Sequence, residues 1–301
     1  MKLKPFNHSN VLIAGPARNI AEHIGGDIKA LFKAASGFRE VRGLVIESDS
    51  TDNTLVILEQ LKNTIKNFEY LALGQLTKKM PKRTERLAYA RNLIVEQCKF
   101  NEKYKDIDFV MMVDLDGINR GITKEKIEHC WNDQHWDVVT ANQPNAYYDI
   151  WTLRHPQWCP KDCFEELRKL EKIVGEENAC RILISSKQIS LAPTLGMIEV
   201  DSAFGGLGIY KREAFITGQY KGLDTNGNEV SDHINFHQDL KKSGYRIFIN
   251  CELVNSDFHI DPKPLPPKKR TSYFLNTIKL LGISLFGKKR FHKYLNMIMN
   301  N

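Results

Sequence analysis

Two carboxylates separated by one residue, Asp114-Leu115-Asp116, stand directly after the apolar run from Phe109 to Val113. In extended chain, residues two apart point the same way, so both acids project together from the tip of a buried strand. Left alone they repel. A hard divalent cation, Mg2+ or Mn2+, removes that repulsion, takes oxygen ligands and bridges protein carboxylates to substrate phosphates. The plainer alternative is a surface turn that happens to carry two acids.

Two further clusters carry groups of the right kind. Val45-Ile46-Glu47-Ser48-Asp49-Ser50-Thr51-Asp52-Asn53-Thr54 places acids at a strand end, where they can hydrogen-bond a base or a ribose. Its Ser, Thr and Asp residues also suit capping of the helix that follows. Arg83-Thr84-Glu85-Arg86-Leu87-Ala88-Tyr89-Ala90-Arg91-Asn92 supplies cations for a leaving diphosphate. Arg86 and Arg91 are not expected both to face the core.

The elements that would position these groups follow from periodicity. Val11 to Ala14 is a buried strand ending at Gly15-Pro16. A helix follows from Asn19 to about Ala35, with Ile20, Ile24, Ile28 and Leu31 on one face. Val41 to Ile46 is a second strand, then comes a helix with Leu55, Leu58 and Leu61, then a third strand from Phe68 to Leu73. Arg86 to Lys99 is helical, and Phe109 to Val113 is the fourth strand. Such alternation means an α/β doubly wound sheet, whose ligands sit at the carboxyl ends of the strands. The candidate site is therefore the loops 14–19, 47–54 and 114–119. Beyond Val139 the pattern turns mixed, with a polar helix from about Lys161 to Val174, a Gly-rich stretch within Val200 to Tyr210 and a late strand from Tyr245 to Asn250.

Taken in order, these motifs resemble the GT-A glycosyltransferases, family-2-like members above all. Ala17-Arg18-Asn19, Asp49-Ser50-Thr51-Asp52-Asn53-Thr54, Ala90-Arg91-Asn92 and Asp114-Leu115-Asp116 occur in the family's sequence of motifs. The match covers residues 11–119 clearly and 200–260 loosely, and 120–199 match no motif. Val45-Ile46-Glu47-Ser48 and Asp232-His233 resemble the capsule-type (Cap59-like) mannosyltransferases more closely. The resemblance implies a GT-A-type doubly wound mixed sheet, with a Rossmann-like nucleotide-binding half (1–119) and an acceptor or catalytic half (120–260). It implies that Ala17, Arg18, Glu47, Ser48 and Asp49 surround the nucleoside, that Arg86 and Arg91 serve the diphosphate, and that Asp114 meets ribose and metal. Asp116 and His259 complete the metal site. Ser48 replaces a second acid usual in the family, which leaves a GDP- or a UDP-linked donor open. Gly205 and Gly206 resemble the floor beneath the donor sugar, and small residues allow that close approach. Asp232 or His233 falls where an inverting enzyme keeps its general base.

The implied activity is metal-dependent transfer of a sugar to a glycan or lipid-linked acceptor, in cell-surface polysaccharide synthesis. Three alternatives use the same residues differently. A phosphatase of the haloacid-dehalogenase type would use Asp114 as nucleophile, although Thr usually follows that motif and here Ile118 does. A sugar nucleotidyltransferase would release pyrophosphate. A non-catalytic carbohydrate-binding module would keep the fold without turnover.

Bulk properties narrow the field. The net charge of +7 resides in the last forty residues, where Pro262 to Asn301 hold nine of the 43 Lys and Arg and no acid. The remaining 34 basic residues face 36 acidic ones, so no nucleic-acid groove is expected through the fold. Residues 261–301 read as a Pro-rich linker and a basic amphipathic helical tail. Aromatics between Lys and Arg over 263–295 suit an anionic membrane surface. The start of the chain lacks an apolar signal segment, so the expected location is cytoplasmic, peripheral on the inner face of the membrane. The six cysteines lack paired zinc spacing and are expected to be reduced structural thiols.

Overall fold

Val11, Leu12, Ile13 and Ala14 are at most 1% exposed, so both faces of their strand are covered, as their unbroken apolarity requires. They belong to β1 (Asn10–Ala17), followed by α1 (Ala21–Ala34), β2 (Glu40–Glu47), α2 (Thr54–Thr64), β3 (Phe68–Ala72), α3 (Arg83–Phe100) and β4 (Phe109–Val113). Then come α4 (Lys124–His129), β5 (Val138–Asn142), α5 (Cys163–Val174), α6 (Glu176–Leu183), β6 (Met197–Val200), β7 (Leu207–Lys211), α7 (Arg212–Phe215), α8 (Asp232–Lys242) and β8 (Ile247–Val254). The computed structural model describes residues 3–257. His259 and the tail 261–301 lie outside them.

All eight strands join one sheet in the order β3-β2-β1-β4-β7-β5-β8-β6. The pairs β1–β2, β2–β3, β1–β4 and β5–β8 are parallel, and β4–β7, β5–β7 and β6–β8 are antiparallel. The expected α/β doubly wound mixed sheet is the one observed. From β1 the chain winds outward to β3, then returns across β1 to β4. Direction therefore reverses between β1 and β4, and a crevice opens at their carboxyl ends. Gly15 permits this junction: a Cβ there would lie 2.2 Å from the carbonyl oxygen of Val113.

At the opposite end of the same strands, aromatic rings close the core. Phe6, Phe38, Phe109, Trp131 and Trp136 pack edge-on or tilted, with centroids 4.4 to 6.5 Å apart. The indole N–H of Trp136 donates to the carbonyl of Cys130 at 2.7 Å, and that of Trp131 to Lys4 at 2.9 Å. This satisfies the polar handle of each large ring.

Residues 3–160 and 189–257 form one compact unit, and 161–188 belong to a second. In that second unit Asp162 caps α5 by accepting from the amides of Phe164 and Glu165, each at 2.9 Å. Gly175, at φ +82°, turns the chain into α6, and Leu167, Val174 and Ala179 form the buried seam. Cys98, Cys130, Cys159, Cys163 and Cys251 are buried.

Candidate active site

The tip of β4 is held from three directions. The Asp114 amide donates to the Gly206 carbonyl at 2.9 Å, which ties the tip to the loop before β7. Asn119, fully buried, donates to the carbonyls of Asp114 and Gly206 at 2.7 and 3.0 Å, and accepts from Asn255 at 2.8 Å. Gly117 takes φ +94°, a conformation suited to glycine. Its amide donates at 2.7 Å to Asp27, a carboxylate of α1 with no exposure. Desolvation pushes the Asp27 pKa up, opposed by the Gly117 amide and by Arg120. The pair Asp114 and Asp116 thus stands on a braced turn, with Asp114 partly exposed and Asp116 open to solvent.

The crevice beside this tip is lined by Pro16, Ala17, Arg18 and Ile20 from the β1 side and by Ile46 and Ser48 from β2. Arg83, Arg86, Leu87 and Ala90 of α3 face Asp114, Leu115 and Asp116 across it. Ala17, Arg18, Ser48, Arg86, Asp114 and Asp116 therefore come together as anticipated. Glu47 does not line the crevice. Ile46 and Ser48, its neighbours along the strand, do, and alternation turns the side chain between them away. Glu47 is 1% exposed and accepts from the Ser50 amide at 2.9 Å. Asp49 does not line it either, because at φ +60° its carboxylate turns to the amide and hydroxyl of Thr77, at 2.9 and 2.7 Å.

The Ser50 to Thr54 cluster ties two loops together. Asn19 and Ile20 donate their amides to the hydroxyls of Ser50 and Thr54 at 3.0 and 2.9 Å. Asp52 accepts from the amides of Ala21 and Thr54 at 3.0 and 2.9 Å. The N-cap residue of α2, Asn53, makes no side-chain cap bond; Asp52 accepts from the first-turn amide of Thr54 in its place, and the cluster binds the start of α1, which brings the loops after β1 and β2 side by side.

The expectation that Arg86 and Arg91 cannot both be inward is overturned: they are 8% and 4% exposed. Each is buried because each has partners there. Arg86 donates to the carbonyls of Met80 and Pro81 at 2.7 and 2.8 Å, while still lining the crevice. Arg91 Nη1 donates to both oxygens of Asp232 at 2.9 and 2.7 Å, and its Nη2 donates to Asp114 at 3.0 Å. The guanidinium lies 5.6 Å from the Phe204 ring centre and 6.0 Å from that of Tyr220. Arg91, expected to meet the diphosphate, instead bridges two acids from different elements. Asn92 exchanges hydrogen bonds with the backbone of Tyr220, both at 2.9 Å, and so keeps that ring in place. Arg83, the first residue of the cluster expected to serve the diphosphate, is exposed on the crevice wall.

A second pocket adjoins the first and shares Arg83, Leu87, Asp114 and Asp116 with it. Arg91, Tyr148, Asp149, Trp151, Thr152, Phe204, Ser231, Asp232 and His233 complete its walls. Asp232 and His233 open α8 and are 3% and 2% exposed. Asp149 was not anticipated, because no spacing pattern marks a lone acid in a loop. It accepts from the Gly205 amide at 3.1 Å and the Thr152 amide at 3.3 Å. Gly205 and Gly206 do not line either pocket; they hold Asp149 and Asp114 by their backbones.

The donor set suits a hard divalent cation. Asp114 and Asp116 line the same pocket and offer oxygen donors, the chemistry Mg2+ and Mn2+ require. Desolvation pushes the Asp114 carboxyl up to about 7; Arg91 opposes this, and Asp116, Asp149 and Asp232 add to it. That crowding of acids is what a cation relieves. Among the described residues no three His, Cys, Asp or Glu are grouped as a complete metal site. The residues fit a cation held by two carboxylates and completed by ligands from substrate or solvent. His259 lies outside the described residues.

No protein-family model matches the chain, and no curated protein does. The backbone is similar to that of S. aureus TarS 1-349, at a TM-score of 0.45 and 15% identity, covering 81% of this chain and 59% of that one. It is similar to the mannosyltransferase PcManGT from Pyrobaculum calidifontis in complex with GDP-Man and Mn2+, at 0.44 and 15%, covering 83% and 59%. Glucosyl-3-phosphoglycerate synthase from Mycobacterium tuberculosis in complex with UDP gives 0.36 and 13%, covering 78% and 65%. The chain spans about three fifths of the length of the first two.

Proposed function

We propose that this chain transfers a sugar from a nucleoside-diphosphate sugar, GDP- or UDP-linked, to a hydroxyl of a glycan or lipid-linked acceptor, in cell-surface polysaccharide synthesis. One observation carries the reading. At the point between β1 and β4 where the strand order reverses, two pockets meet at Asp114 and Asp116. The first is lined by apolar residues together with Arg18, Arg83 and Arg86, which suits a nucleoside with a diphosphate. Asp116 and the oxygen of Asp114 not held by Arg91 would hold Mn2+ or Mg2+, which when bound stabilises the charge growing on the leaving diphosphate. Arg83 and Arg86 line the same crevice and add positive charge beside that oxygen.

Asp232 is the proposed base. Arg91 holds both of its oxygens, which fixes the carboxylate in the lining of the second pocket and leaves one lone pair on each oxygen for an acceptor hydroxyl. A phosphatase reading would need Asp114 as an attacking group, whereas Arg91 takes one of its oxygens. In this reading residues 1–260 are the glycosyltransferase domain and 261–301 a linker and tail.

Titration calorimetry of UDP and GDP with and without Mn2+ tests the reading. One of them binds at least tenfold more tightly with Mn2+, and Asp116→Ala removes that gain while the thermal transition of the unliganded protein stays within about 2 °C. Metal-independent binding, or none, overturns it.

Among the described residues no helix is long and apolar enough to cross a membrane. We place the chain in the cytoplasm, with the basic segment 263–295 resting on the anionic inner face of the membrane. Flotation with vesicles containing phosphatidylserine checks this: full-length protein floats, and protein lacking 270–301 stays at the bottom. Equal flotation of the two refutes membrane contact by the tail.

A further inference from the structure

His233 is 2% exposed, lines the second pocket, and has no hydrogen-bond partner on either ring nitrogen. Buried polar atoms are almost always paired, so two orphans on one ring facing a pocket call for a ligand. The ring itself is held firmly. It stacks on Phe204 at 3.9 Å between centroids and meets Tyr220 edge-on at 5.4 Å. Burial, with Arg91 and His237 nearby, keeps its pKa well below the ordinary 6.5. The neutral imidazole offers one donor and one acceptor.

Asp149 stands on the same wall and is equally prepared. Tyr147 and Asp149, two residues apart, accept the successive amides of Phe204 and Gly205, each at 3.1 Å. That pairing sets the carboxylate against the backbone that carries Phe204, the ring on which His233 stacks. Asp149 accepts the Gly205 amide through one oxygen and the Thr152 amide through the other, and the Thr152 hydroxyl bonds it as well, which leaves room for one further donor. Phe204, Tyr148 and Trp151 add aromatic surface to the same lining.

We infer that Asp149 and His233 together read the hydroxyl groups of the sugar being transferred. The partner they call for must donate to a carboxylate and both donate to and accept from an imidazole. Neighbouring hydroxyls on a pyranose ring do this. An anion cannot donate to Asp149, and Asp116 and Asp232 would repel it. An ammonium would leave the imidazole N–H unpaired. The transferred sugar, not the acceptor, is the occupant because the second pocket shares Asp114 and Asp116 with the nucleotide crevice, so the group attached to the diphosphate passes directly into it. His233 is thereby a specificity residue, and the base role stays with Asp232. The inference rests on the glycosyltransferase reading.

Two variants test it, Asp149→Asn and His233→Phe, which keep shape and, for the second, the ring stack on Phe204. Calorimetry compares UDP and GDP with UDP-glucose, UDP-N-acetylglucosamine and GDP-mannose, all with Mn2+. In both variants the nucleoside diphosphate binds within twofold of wild type, which also reports an intact fold. The sugar nucleotide preferred by wild type loses at least tenfold. Unchanged sugar-nucleotide affinity in either variant overturns the inference alone. So does a parallel loss of nucleoside diphosphate, which would make the two residues structural. If wild type binds no nucleoside diphosphate, the glycosyltransferase reading fails first and takes this one with it.

Discussion

Arg91→Leu lowers the stability of the protein by about 3–5 kcal/mol, the cost of leaving a buried ion pair without one partner. At this size that is a fall of roughly 10 °C in the thermal transition. Arg91 is 4% exposed and neutralises Asp232, itself 3% exposed, and the partly exposed Asp114. Leucine restores the apolar volume but strands two acids near each other. Arg91→Lys does not rescue, because an ammonium is a point charge and cannot serve two carboxylates through a planar fork. The loss depends on pH in a defined direction. The Asp114 carboxyl is raised to about 7 when folded, above its ordinary 3.8, so the folded state binds more protons than the unfolded one between those values. Stability from this group therefore declines as pH rises from about 4 to about 7. Without Arg91 the same acid is harder still to ionise. The deficit of Arg91→Leu is then larger at pH 8 than at pH 5, and scanning calorimetry at the two values checks it. A deficit under about 1 kcal/mol at pH 8 would mean that the bridge contributes nothing to holding the fold.

The first half of the fold was legible because its signals are local. Short apolar runs at Val11, Leu44 and Phe109, bounded by Gly, Pro or charged residues, read as strands covered on both faces, and period 3.6 marks the helices between them. Their alternation set the doubly wound order, and that order alone put the Asp114 turn at the switch point. The second half depends on distant partners. The antiparallel insertion of β7 between β4 and β5 leaves no trace in spacing. The same distinction explains the site. Ala17, Ser48, Asp114 and Asp116 were found because strand ends predict them. Arg91 was misread because its two acids lie 23 and 141 residues away in sequence, and an arginine with remote partners looks like a solvated one. Asn119, Asn255, Asp27 and Asp149 were missed for a related reason. Each is a polar side chain that satisfies a remote backbone group, Gly206 in the case of Asn119.

These remote pairings give the site its rigidity. Asp114 and Gly206 share a backbone hydrogen bond, Asn119 ties both carbonyls, and Asn255 reaches Asn119 and Gly205 at 2.8 and 2.9 Å. The tip of β4 and the Gly205–Gly206 bend therefore behave as one piece. Through Asp149 the second pocket is attached to the same piece, and through Arg91 so is α8. The two pockets are thus held in a set relation before any ligand arrives, which fixes the two ends of a bound sugar nucleotide relative to Asp232.

Asp232→Asn is the sharper test of chemistry within that frame. Asparagine keeps the shape and can still accept from Arg91 Nη1 through one oxygen, but it cannot take a proton from an attacking hydroxyl. If Asp232 is the base, turnover of the sugar nucleotide falls by about 10²–10⁴, the usual contribution of general base catalysis. Affinity for the nucleoside diphosphate stays within twofold, since Asp232 does not line the nucleotide crevice. The variant must also lose some stability, because Arg91 then faces one charged partner in place of two. Turnover and affinity are therefore both measured at least 10 °C below its thermal transition. The configuration of the product supplies the independent readout. A base is needed only for attack from the face opposite the leaving group, so an inverted anomeric centre goes with a large loss in Asp232→Asn. Retention of configuration with a loss under tenfold would remove Asp232 from the reaction and leave it as the anchor of Arg91 alone.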